Sequence, residues 1–155
     1  MNFNKQNELD KFVELIDIIQ GIRTAMRKHL RHKIKQHHFD ITFEMLEVMI
    51  ELWKRDKINQ QELADILRRN KATLTSLIDN LSARHLVERL PDPRDRRINL
   101  VALTQPGIDY RAQIMPLMHD FYETFMADFS MTQLEIMTTD LGKLYMNIQA
   151  NTATT

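Results

Sequence analysis

Apolar residues recur at intervals of three and four along nearly the whole chain, and the rhythm breaks only once, between Leu86 and Leu103. That spacing is the mark of amphipathic helices, so the fold has to be mainly α with one excursion into strands. Three glycines and four prolines leave few points at which helices are interrupted. A length of 155 residues and a hydrophobic content of 43% suit a single domain, 1–155, with a real core.

The first apolar stripe, Leu9, Phe12, Val13, Ile16, Ile19, Met26 and Leu30, predicts a long helix to about Gln36. Arg23, Arg27, Lys28, Arg31, Lys33 and Lys35 fall on its other faces and read as a solvated surface. Thr42 is placed to cap a second helix that turns Leu46, Met49, Ile50 and Trp53 inward, and the polar run 55–58 ends it. Asn59 with Glu62 matches a capping box opening a two-turn helix with Leu63, Ala64, Ile66 and Leu67. Asn70 caps the next, with Leu74, Leu77, Ile78 and Leu81 on one side and short polar side chains elsewhere, a face that can approach another surface closely.

Segments 86–90 and 98–103 then read as two strands of a hairpin around Pro91-Asp92-Pro93-Arg94-Asp95-Arg96-Arg97, a charged loop stiffened by proline. Thr104 is placed to cap a further helix with Pro106 in its first turn, and Pro116 predicts a kink or break at 112–116. Ser130 with Gln133 forms a capping box for the last helix, and the residues from Asn151 onward are expected to fray. The order is α-α-α-α-β-β-α-α.

Charge is balanced overall, 21 basic against 21 acidic side chains, but unevenly spread. Residues 54–97 hold eleven basic and seven acidic groups, whereas 98–155 hold two and six. The positive charge is concentrated in Arg68, Arg69 and Lys71 and again in Arg94, Arg96 and Arg97. Two helices joined by a short turn and followed by a hairpin form a winged helix-turn-helix. Arg68, Arg69 and Lys71 lie at the start of its second helix, where the helix dipole also favours phosphate; the alternative is ordinary solvation of a helix end.

Gln61-Glu62-Leu63-Ala64, Thr73-Leu74-Thr75, Leu86-Val87-Glu88-Arg89, Asp92-Pro93-Arg94-Asp95-Arg96-Arg97 and Leu103-Thr104-Gln105-Pro106-Gly107 carry a resemblance. Over about residues 9–148 the chain resembles the MarR (multiple antibiotic resistance regulator) family of bacterial transcription regulators, the D-x-R-D-x-R loop followed by L-T-x-x-G being the specific part. The resemblance implies a homodimer held by the terminal helices (9–40 and 104–150), two winged lobes (42–103) and a pseudo-palindromic duplex DNA operator. It also implies a pocket for a small-molecule effector, often aromatic or anionic, between dimer helices and lobe, and most often a repressor.

On that reading Lys71, Ala72, Thr73, Thr75, Ser76 and Asn80 face the major groove, each alternatively an ordinary surface residue. Ser76 departs from the arginine that many relatives carry nearby, and serine cannot make the bidentate guanine contact. Arg94 suits a narrow minor groove, while Asp92 and Asp95 are expected to pair with Arg96 or Arg97 and shape the wing.

Other functions find less support. Without cysteine there is no disulfide, thiolate ligand or thiol redox chemistry. His29, His32, His37 and His38 raise a metal-dependent sensor as an alternative, but no H-E-x-x-H pattern accompanies them, so neither metal nor cofactor is expected. No phosphate loop, nucleophile elbow or paired-acid motif suggests an enzyme. A winged-helix protein-interaction module is the remaining alternative. The first residues lack an apolar signal core and no apolar run spans a membrane, so the cytoplasm is the expected compartment.

Overall fold

The computed structural model describes residues 3–95 and 98–152. Among them the order is α1 (Phe3–Gln36), α2 (Phe43–Lys54), β1 (Ile58–Asn59), α3 (Gln60–Leu67), α4 (Lys71–Ala83), β2 (Val87–Pro91), β3 (Asn99–Leu103), α5 (Gln105–Met126) and α6 (Met131–Thr152). This is the mainly helical winged helix-turn-helix that the periodicity implies, with one addition. Strand β1 pairs antiparallel with β3 through Ile58–Val101 and Asn59–Leu100, which puts β3 in the middle of a three-stranded sheet ordered β1-β3-β2. Two residues are too few to show any alternation, so β1 has no signature of its own.

Internal contacts divide the chain into two compact units at the Leu117–Met118 bond. In the first, α2 supplies the centre: Met45, Leu46, Val48, Met49 and Leu52 are all buried. It packs against α1, α3, α4 and β3. The opposing surface comes from Leu63, Leu74, Ile78, Leu81 and Val101, each with essentially no exposure. Each such side chain contributes about 1.5–3 kcal/mol relative to remaining in water.

The caps read from the sequence position the helices. Thr42 Oγ1 accepts from the Met45 amide at 3.2 Å, and Asn70 Oδ1 accepts from the Thr73 amide at 2.8 Å. Asn59 caps α3 through the Gln61 amide at 2.7 Å, but the reciprocal half of the expected box is missing because Glu62 pairs instead with Arg55 across the α2–α3 connection. Helix α1 starts six residues before its apolar stripe, supported by Gln6–Asp10 and Lys11–Glu14 contacts along one face. Its Leu30 and Ile34 are buried, whereas Leu9, Phe12 and Val13 lie exposed.

The Thr104–Gly107 segment joins the wing to α5. Thr104 Oγ1 accepts from the Gly107 amide at 3.1 Å, and the Thr104 amide donates to the Leu86 carbonyl at 3.2 Å. A Cβ at Gly107 would fall 1.9 Å from that same Leu86 oxygen, so only glycine allows α5 to start so close to the strand. The Gly107 carbonyl in turn accepts from Trp53 Nε1 at 3.0 Å, which accounts for the half-buried indole of α2.

Pro116 does not break α5, which runs on to Met126. Proline deletes one hydrogen bond, to the Ala112 carbonyl, and Ile114 and Leu117, buried on either side, keep the helix in place. In the second unit Phe121 is fully buried and packs with Tyr122 and Phe125 at centroid distances of 5.4 and 4.9 Å. The Ser130–Gln133 box forms reciprocally: the Ser130 amide donates to Gln133 Oε1 at 2.9 Å and the Gln133 amide to Ser130 Oγ at 3.3 Å. Helix α6 persists through Asn151 and Thr152. No helix among the described residues is long and apolar enough to cross a membrane.

Candidate nucleic-acid interface

The turn between α3 and α4 is closed by backbone bonds. Arg68 caps α3 in the left-handed region (φ 51°), with its amide on the Ala64 and Asp65 carbonyls, and the Arg69 amide reaches Ala64 O at 2.9 Å. Asn70 then starts α4. The amides of Lys71 and Ala72, in the first turn, have no acceptor within the helix and are suited to an anion.

Leu74, Ile78 and Leu81 bury one side of α4, while Lys71, Ala72, Thr73, Ser76, Asp79 and Asn80 are exposed. At about 100° per residue, Ala72, Thr73, Ser76 and Asn80 share the face opposite the buried one. Lys71, Thr75 and Asp79 lie along its edge and line a cleft of about 550 Å³ whose far wall includes Arg89, Ile98 and Asn99 of the wing. Two polar side chains on α4 are already engaged. Thr75 Oγ1 donates to the Lys71 carbonyl at 2.8 Å and accepts from Gln60 Nε2 at 2.9 Å, while Asn80 Nδ2 donates to the Ser76 carbonyl at 2.8 Å.

Arg89 clips the wing to the helices. Its guanidinium contacts Asp79 Oδ1 of α4 at 2.7 Å and Gln60 Oε1 of α3 at 3.5 Å. At the wing tip Asp92 Oδ1 accepts from the Arg94 amide at 2.7 Å, the Asp92 amide donates to the Ile98 carbonyl at 2.9 Å, and the Ile98 amide to the Asp95 carbonyl at 2.9 Å. These bonds close the loop beneath an exposed Arg94. Arg96 and Arg97 lie outside the described residues, and so do the pairings expected between them and Asp92 or Asp95. The described partner of the Asp92 carboxylate is backbone.

Arg69 is oriented differently from its neighbours. It is only 23% exposed, and Nη2 lies 2.7 Å from Glu47 Oε2 on α2. Arg27 of α1 approaches the same oxygen at 3.6 Å and Glu44 Oε1 at 3.8 Å, Arg31 also pairs with Glu44, and Arg27 lies 5.3 Å from the centre of the Phe43 ring. Burial pushes the Glu44 carboxyl up, but the Arg31 hydrogen bond and the charges of Arg31 and Arg27 hold it below the ordinary carboxylate range. Arg27, 29% exposed, is therefore part of the α1–α2 packing instead of the solvated surface expected of it, whereas Arg31 pairs with Glu44 from an exposed position. Glu44 and Glu47 one turn apart on α2, against Arg27 and Arg31 one turn apart on α1, are the signal that reveals this, but only once the two helices are placed together. Gln60, Asp79 and Arg89 carry no comparable signal.

Among the described residues no group of three or more His, Asp or Glu is gathered as a metal ion requires. A family model described as MarR family matches residues 41–98, the segment from α2 to the wing. Over 139 residues the chain is 22% identical to the HTH-type transcriptional regulator MhqR of Bacillus subtilis (strain 168), covering 89% of this chain and 94% of that protein. It is similar to a MarR transcriptional regulator from Methanosarcina mazei Go1 (TM-score 0.77, 24% identity, 90% of this chain and 98% of that one). It also resembles MepR of S. aureus, solved as a DNA complex (TM-score 0.73, 26% identity, 84% and 95%).

Proposed function

The chain belongs to the MarR family, and on that premise we propose that it is a homodimeric, sequence-specific transcription regulator, a repressor that a small-molecule effector releases from duplex DNA. The observation that carries the reading is the exposed polar face of α4 beside an exposed wing arginine, held together by Arg89. MepR, with the same architecture, was solved on DNA. Lys71 and the first-turn amides of α4 take phosphate, with Arg68 alongside, while Ala72, Thr73, Ser76 and Asn80 meet base edges in the major groove. Thr75 works from the edge of that face, tying α3 to α4. Arg94 enters the minor groove, with Asp92 and Asp95 shaping the loop and Arg96 and Arg97 adding charge to it. Two lobes in a two-fold dimer read half-sites about 34 Å apart, and a bound dimer blocks transcription from the site it covers.

A second cavity suits the effector. It encloses about 380 Å³ among Phe39, Asp40, Arg84, Leu86, Tyr110 and Gln113. Tyr110 Oη is buried and has no hydrogen-bond partner among the described residues. Burial and the Asp40 charge push its phenol up, so it remains a donor at neutral pH. A small ligand carrying an acceptor fits that donor, with Arg84 favouring an anion.

Fluorescence anisotropy with duplex DNA from upstream of the protein's own gene, at two salt concentrations and with and without zinc, tests the reading. Binding independent of zinc is expected, weakened by Arg94→Ala, and Lys71→Ala is expected to lower the salt slope by about one. Absence of binding at low salt favours a protein-interaction module, and binding only with zinc favours a metal-dependent sensor.

A further inference from the structure

Arg69 reads in the sequence as one more cation of the helix-turn-helix, yet its side chain points inward and is held by a carboxylate from another helix. Glu47 lies between Leu46 and Val48, both fully buried, so its backbone is among the most firmly fixed in the lobe. Arg69 sits directly before Asn70, the cap on which α4 begins. We infer that Glu47 is a positioning residue for the recognition helix: through Arg69 it sets where α4 begins relative to the α2 core, and through Arg27 it ties that placement to α1. This rests on the DNA-binding reading above and adds to it a residue that touches no DNA.

Three features support the assignment. Both partners are roughly three-quarters buried, Arg69 at 23% and Glu47 at 27% exposure, so the pair is less screened than a surface ion pair. Glu47 also lies near two cations on different elements, Arg69 on the α3–α4 turn and Arg27 on α1. Without the Glu47 charge, Arg69 loses the carboxylate that holds it and Arg27 keeps only the more distant Glu44, so the link between the turn and α1 is lost. Finally, backbone bonds close the turn upon α3 and Asn70 caps α4, and the Arg69 side chain ties that closed turn to α2. A shift of the cap moves every side chain of α4 relative to the bases, while the phosphate-facing charge stays the same.

The test uses the full chain and two duplexes: one selected by the wild-type protein from a random-sequence pool, and one scrambled. Glu47→Gln, Arg69→Gln, their double variant, Arg69→Lys and the exchange Glu47→Arg with Arg69→Glu are compared at three salt concentrations, well below the melting temperature of each. Positioning predicts that each single glutamine variant lowers affinity for the selected duplex about ten-fold, and that the double variant is no worse than either. Scrambled-duplex affinity and salt slope stay unchanged, and the exchange variant or Arg69→Lys recovers part of the loss. If Arg69→Gln weakens both duplexes equally and lowers the salt slope by about one, Arg69 is a phosphate contact and the inference fails. It fails also if the two losses add, or if Glu47→Gln changes nothing. A wild-type protein that selects no sequence fails the underlying reading itself, an outcome visible before any variant is made.

Discussion

The lobe between Phe43 and Leu103 and the terminal helices use their apolar residues in opposite ways. In the lobe Leu46, Leu63, Leu74, Ile78 and Val101 are sealed from water, and among its described residues Ile66, at 43%, is the most exposed large aliphatic side chain. Along the first half of α1 and along α6 the stripes are as regular in sequence, yet Phe12 is 45% exposed, Val13 58%, Leu141 42% and Ile148 47%. An amphipathic helix that leaves its apolar face in water forgoes the main stabilisation available to it. The lobe is complete within one chain, whereas on the dimeric reading proposed above the terminal helices are complete only when a second copy covers them.

The sharpest way to break that comparison is to put a charge where the second copy belongs. Val13→Asp leaves the single chain nearly as stable, since the side chain is already more than half exposed, but buries an unpaired carboxylate twice in a two-fold dimer at several kcal/mol each. Sedimentation is expected to change from dimer to monomer with an unaltered helical circular dichroism spectrum. A wild-type protein that sediments as a monomer at every concentration ends the comparison. The converse substitution, Leu46→Ala, is expected to cost about 2–5 kcal/mol in urea unfolding while the folded fraction remains dimeric. Next in size is Gly107→Ala, whose methyl group has to push aside the Leu86 carbonyl. About 1–3 kcal/mol is expected, read as a lower melting temperature, with Trp53 fluorescence reporting the disturbed contact to Gly107.

What was legible in the sequence follows the range of the interaction. Thr42, Asn70, Thr104 and Ser130 cap helices where the sequence placed them, because a cap bonds amides two or three residues away. The Asn59 cap was legible for the same reason, but Glu62 was drawn to Arg55, a competitor outside the motif. Strand β1 exists only because β3 lies beside it, and neither of its two residues announces it. Arg69 is the clearest case at the site. Beside Arg68 and Lys71 it reads as a cation for phosphate, and the carboxylate that holds it lies 22 residues back on another helix. Gly107 was visible as part of a motif, while its reason, the approach of the Leu86 carbonyl, is a three-dimensional one.

The smallest effect probes the seam between the two regions, where Glu44 of the lobe meets Arg27 and Arg31 of α1. Because the folded protein holds this carboxyl below its ordinary value of 4.5, the unfolded chain takes up its proton first as the solution is acidified. The stabilisation is therefore complete above about pH 4.5 and is lost as pH falls through the lower, folded value. Urea unfolding of wild type and Glu44→Gln at neutral pH and in mild acid separates this carboxylate from the protein's others. The variant is expected to be less stable at neutral pH, and the difference should narrow as acid protonates Glu44 in the wild type. A difference that stays constant down to the acid end would show that Glu44 acts through packing instead of charge, and the α1–α2 seam would then be an apolar contact bordered by incidental ion pairs.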